Sequence, residues 1–177
     1  MNPPVAASRR PRVMAVVTRL MTLKSDEALL RRSIEIARVG LAAGERPVAA
    51  LLTKSGQVVA EAHDGVFGHR DPTAHAERLV ISEFSRANGL LHLRGYTLYT
   101  VVEPCLMCCG AIHWAKLGRV VYALSQSGLQ ALTGGSEKRS IRVLLPAGRH
   151  SVELVGPLLE DEALELAQLY PWKDKRV

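Results

Sequence analysis

The sequence predicts an α/β protein, a three-layer α/β/α sandwich around a mixed sheet of about five strands. Two observations carry this. From Ser25 onward, segments with apolar residues at helical spacing alternate with short β-branched and aromatic runs, the pattern of helices laid over both faces of a sheet. The 177 residues are 47% hydrophobic, enough for one domain with a substantial core, yet no apolar run reaches membrane-spanning length.

The elements follow in order. Residues 1–23 read as a flexible basic leader, with residues 24–177 as the domain proper: Arg9, Arg10, Arg12 and Arg19 are accompanied by no acidic residue, and Pro3, Pro4 and Pro11 break any amphipathic period. Much of the net charge of +6 therefore belongs to the leader. Arg19 interrupts an apolar stretch too short for an export signal, and no aromatic is present to stack on bases, which weakens a nucleic-acid-binding arm. Leu30, Ile34, Ala37 and Leu41 behind Asp26-Glu27 give a first helix facing a core. Pro47 to Leu52 and Gln57 to Ala60 form a hairpin about Ser55-Gly56.

Asp71-Pro72-Thr73 reads as the start of a helix running toward Arg86, which puts His75 and Glu77 in its first turn. Tyr96 to Val102 is strand-like, and Pro104 opens another helix behind it. Leu106, Met107, Ala111, Ile112, Trp114 and Leu117 make that helix apolar nearly all round, so it is expected to be the most buried one. Arg119 to Leu124 and Ser151 to Val155 are the remaining strands. Leu159, Ala163, Leu166, Ala167 and Tyr170 mark a closing helix ended by Pro171. No internal repeat is present.

The chemistry sits in two short motifs. His75-Ala76-Glu77 is followed, 27 residues after the glutamate, by Pro104-Cys105-Leu106-Met107-Cys108. Structural zinc closes its shell with four protein ligands, whereas catalytic zinc takes three and keeps a place for water, whose pKa it lowers to about 7. One histidine and two cysteines leave that place open. Thiolates from Cys105 and Cys108 cancel the charge of the ion, neutral His75 adds a nitrogen, and cysteines three apart share one face of a helical turn. Two helix N-termini would point at the metal and favour thiolate over thiol. Each motif alone has a plainer reading: Cys-x-x-Cys after a strand also describes a redox pair, and His-x-Glu arises by chance. Together, in this order and each behind a proline, they point to one zinc per chain. Cys109 reads as a small buried apolar residue and His113 as a pocket or surface side chain. An odd number of cysteines with two committed to metal argues for a reducing, cytoplasmic setting.

From about residue 25 to 173 the chain resembles the cytidine deaminase superfamily, in the branch of bacterial guanine deaminases, fungal-type cytosine deaminase and tRNA adenosine deaminases. The matching runs are Glu45-Arg46-Pro47-Val48-Ala49-Ala50, Asp71-Pro72-Thr73-Ala74-His75-Ala76-Glu77, Leu98-Tyr99-Thr100 and Glu103 to Ala111. The paired motifs are the signature of zinc deaminases in which the glutamate moves protons. The resemblance implies hydrolytic loss of an exocyclic amine, His75, Cys105 and Cys108 as zinc ligands, Glu77 as proton shuttle, backbone N–H groups of Ala76 and Cys105 near the reacting oxygen, and a homodimer. Ala111-Ile112-His113-Trp114-Ala115-Lys116 is similar to a run in guanine deaminases, so Trp114 either covers a free base or packs in the core. Tyr170-Pro171-Trp172 is similar to the aromatic tails that close pockets in free-base enzymes. Where both guanine and tRNA adenosine deaminases commonly carry an asparagine that bonds the base, eleven residues before the zinc histidine, this chain has Asp64, which offers acceptors only, unless Asp64-Gly65 is merely a turn. The substrate expected is thus a free nucleobase or similar aminated heterocycle, a guanine-like purine or an amino-triazine. The alternatives are a tRNA-specific adenosine deaminase, with nucleic acid as partner, and a non-catalytic zinc or redox module.

Overall fold

Ser25 caps the first helix, α1 (Asp26–Ala42): its hydroxyl accepts from the Ala28 N–H at 3.2 Å, while Asp26 and Glu27 place negative charge in the first turn, where the helix dipole favours it. The structure, a computed structural model, describes residues 25–134 and 151–172, so the leader expected at 1–23 lies outside the described residues.

Strands β1 (Ala49–Lys54) and β2 (Gln57–His63) pair antiparallel across a two-residue turn. Ser55 and Gly56 both take positive φ, 52° and 75°, the conformation whose twist matches a hairpin. On its other side β1 pairs antiparallel with β3 (Tyr96–Val102), with Leu51 opposite Tyr99. Parallel pairings with β4 (Arg119–Leu124) and then β5 (Glu153–Val155) complete a mixed sheet in the order β2-β1-β3-β4-β5.

Successive residues of the strands feed opposite faces. Leu51, Tyr99 and Val121 pack with α1 and α6 (Glu160–Gln168), burying Leu30, Ile34, Ala163 and Leu166. Leu52, Leu98 and Val120 pack with α3 (Ala76–Asn88) and α4 (Leu106–Trp114), burying Val80 and Ile112. The three layers and five strands are as expected, and the core lies on both faces of β3, whose residues are buried almost throughout. No helix among the described residues is long and apolar enough to cross a membrane.

Two expectations are corrected. Helices α3 and α4 start at Ala76 and Leu106, with His75 and Cys105 as N-caps, so Pro72 precedes its helix by several residues. The reason is local: the Asp71 carboxylate accepts from the Thr73 N–H at 2.8 Å and the Thr73 hydroxyl at 2.6 Å, a side-chain turn that competes with helix. Helix α4 is not the most buried helix. Only Cys108, Cys109 and Ile112 are buried in it, while Leu106 and Trp114 are 54% and 76% exposed, because the sheet covers a single stripe. Two further helices are α2 (Val66–His69), too short to show a period, and α5 (Gln126–Thr133), which packs Leu129 and Leu132 against the core.

Candidate active site

The site forms where chain breaks converge. β3 ends at Val102, and Glu103-Pro104-Cys105 leads directly into α4; α3 begins beside it with His75 at its cap. The two helix N-termini therefore meet, as the motifs implied, and their cap positions carry two of the metal-ligating side chains.

His75 Nδ1 lies 3.6 Å from Cys105 Sγ and 3.7 Å from Cys108 Sγ, and the three ligand atoms are all within 4.8 Å of one another. Tetrahedral zinc with its usual Zn–N and Zn–S distances separates nitrogen from sulfur by roughly 3.6 Å, so the cluster fits zinc. Among the described residues no fourth His, Cys, Asp or Glu joins it. This convergence with His75 answers the redox-pair alternative. Cys105 is held down to about 4, first by a hydrogen bond from Cys108 and then, against the cost of burial, by one from His75. Cys108 moves up, chiefly as the donor in that same contact. The two sulfurs share one proton, Cys108 donating to a Cys105 thiolate. Burial pulls His75 down, but the bond to Cys105 and the charge of Glu77 outweigh it and leave the net shift upward.

Glu77 is 3% exposed, and its Oε2 has no hydrogen-bond partner among the described residues. Burial, then the Cys105 charge, pushes its carboxyl up to about 7. A buried carboxylate oxygen without a partner costs free energy unless a ligand or water completes it, and a carboxyl near 7 exchanges protons readily at neutral pH.

His75, Glu77 and Cys105 line a cavity of about 170 Å³ together with Arg46, Val48, Asp64, Glu103, Gln126 and Trp172. Ala76 and Cys105 border the cluster in the first turn and at the cap, where backbone N–H groups lack intrahelical partners. Trp172 reaches the cavity as its position in the aromatic tail implied; its indole N–H donates to Ala167 O at 2.8 Å, and its ring meets Tyr170 edge-on at 4.8 Å. Trp114 does not line the cavity, nor does it pack in the core. It ends α4, roughly 13 Å along the helix from Cys105 at 1.5 Å per residue, and lies exposed against His113. Cys109 is buried, its thiol donating to Pro104 O at 3.5 Å, away from the cluster.

Asp64 lines the cavity with both of its oxygens already engaged. Arg46 donates from Nε to Oδ1 at 3.1 Å and from Nη2 to Oδ2 at 2.8 Å, and the Val66 N–H adds a long bond of 3.4 Å to Oδ1. The Asp64 side chain is 1% exposed and that of Arg46 25%. Sequence reasoning missed Arg46 and Gln126, the latter tied to Glu103 through both its backbone N–H and its side-chain amide.

Residues 23–124 match the family model described as the cytidine and deoxycytidylate deaminase zinc-binding region. The chain is 33% identical over 141 residues to the tRNA-specific adenosine deaminase of Bacillus subtilis (strain 168), covering 79% of this chain and 84% of that one. It is 41% identical over 100 residues to the guanine deaminase of the same organism, covering 56% and 64%. Its structure is similar to that of NE0047 in complex with 2,6-diaminopurine, at 26% identity over 86% of this chain and 84% of that one, with a TM-score of 0.77.

Proposed function

Since the chain belongs to the cytidine and deoxycytidylate deaminase zinc-binding family, and is a zinc-dependent C–N hydrolase, we propose that its substrate is a free nucleobase or similar aminated heterocycle, a guanine-like purine or an amino-triazine. The observation that carries this is the size of the cavity: about 170 Å³ beside the metal ligands, with Trp172 in its lining. Pockets for drug-sized ligands run to roughly 300–1,000 Å³, so this one suits a small ring system better than a nucleotide.

Zinc, when held by His75, Cys105 and Cys108, supplies an activated water as nucleophile. Glu77 accepts the proton that water loses and passes it to the ring nitrogen, then takes the proton of the newly added hydroxyl and delivers it to the leaving amine. One water is consumed, the exocyclic C–N bond breaks, a carbonyl forms on the ring carbon and ammonia leaves. The N–H groups of Ala76 and Cys105 stabilise charge developing on the attacked centre, and Trp172 packs against the ring. Asp64 acts on the substrate through Arg46. The test is an ammonia-release screen over purines, pyrimidines, triazines and their nucleosides alongside zinc content; release only from nucleosides or RNA overturns the free-base reading.

A second reading has its own support. The similarity to a tRNA-specific adenosine deaminase over 79% of this chain favours adenosine editing in tRNA. It predicts activity on an anticodon stem-loop and binding that weakens steeply with salt. The exposed apolar residues Leu106 and Trp114 on α4 support a homodimer through that face, and three cysteines without a disulfide support a reducing, cytoplasmic setting.

A further inference from the structure

We propose that Arg46 determines specificity in this pocket, its guanidinium held by Asp64 so that its remaining N–H groups select rings bearing an oxo acceptor over rings bearing an amino group there. This rests on the free-base reading above. Arginine carries five N–H donors, and the fork to Asp64 uses one on Nε and one on Nη2. Both hydrogens of Nη1 have no partner among the described residues. Arg46 lines the same cavity as His75, Glu77 and Cys105, and its charge is near enough to depress His75 and Tyr170.

Stability alone is a weak reason for such a pair. Replacing a buried ion pair by apolar residues is often neutral or stabilising, so an Arg–Asp pair walling a cavity is better accounted for by what its free edge recognises. Both residues line the cavity, but Asp64, 1% exposed and already engaged on both oxygens, is the positioning residue, while Arg46 keeps unspent donors. The polarity of recognition is thereby inverted. A carboxylate alone would favour substrate N–H donors, whereas the guanidinium edge favours substrate acceptors and leaves an amino group facing a donor, which desolvates both without a bond.

Two pairs of rings that differ by oxo for amino test this: guanine against 2,6-diaminopurine, and ammeline against melamine. With kcat/KM measured for all four, wild-type protein is expected to favour the oxo member of each pair by roughly 10- to 100-fold. Arg46→Met should bring both ratios to within about threefold of unity, mainly through KM, with zinc content unchanged. Arg46→Lys keeps charge but not the fork and should recover only part of the preference; Asp64→Asn, which frees the guanidinium, should reduce it too, and these two carry the test if Arg46→Met does not fold. A wild-type preference that persists in the folded variants, or a wild-type preference for the amino rings, overturns the inference alone. Failure of wild-type protein to deaminate any of the four overturns the free-base premise and the inference with it.

Discussion

Cys108 and Cys109 are adjacent and both buried, yet only Cys108 turns its sulfur toward His75, while Cys109 donates to Pro104 O. Cys108→Ala is therefore expected to lose zinc and Cys109→Ala to keep it, read by metal analysis of the purified proteins; equal loss would place the sulfur ligand elsewhere. Glu77→Ala should retain the metal, since its carboxylate is outside the ligand cluster, and slow ammonia release by roughly 10²- to 10⁴-fold, the range for a lost acid–base group. Loss of zinc in that variant would make Glu77 structural. The zinc ligands, and the position of Glu77 beside them, were legible in the sequence because each motif is local: His75 and Glu77 share one turn, Cys105 and Cys108 another. Arg46 was not, because its partner is 18 residues away and nothing periodic in the chain couples a residue before β1 to one after β2.

At the scale of elements, what ties α1 to the sheet at its N-terminus is Asp26. Its carboxylate accepts from Arg119 at 2.9 and 2.8 Å, on β4, and from the Tyr99 hydroxyl at 2.8 Å, on β3. The Arg119 hydrogen bonds, then, after the opposing cost of burial, that of Tyr99, hold Asp26 below its ordinary value of 3.8. Tyr99 in turn is pushed up to about 12 by burial and by Asp26, so it remains a donor. A carboxyl depressed by folding adds stability above its unfolded pKa and loses it as pH falls through the folded value. Asp26→Asn should thus lower Tm at pH 7 by about 2–4 °C, corresponding to about 1 kcal/mol for a partly exposed network, and the gap from wild type should narrow below pH 3.8. A gap independent of pH would mean that packing, not charge, is lost. The hairpin, the core strands and α6 were legible from alternation and periodicity. The degree of burial of α4 was not, since an all-apolar composition cannot say which stripe the sheet covers, and the four-residue α2 is too short to show a period.

For the whole molecule, the exposed face of α4 is the feature that a single chain leaves unexplained. If Leu106 and Trp114 are covered by a second copy, sedimentation should show a dimer, and Trp114→Glu should shift it to monomer with the circular dichroism spectrum and zinc content unchanged. A wild-type monomer at micromolar concentration would remove that role. The metal cluster and Glu77 all fall between residues 75 and 108, whereas Trp172 reaches the same cavity from beyond α6. The metal cluster and this part of the cavity lining thus come from separate stretches of chain. A chimera that exchanges the segment after α6 with that of a relative therefore alters one wall of the cavity while leaving the zinc ligands, Glu77 and Arg46 in place.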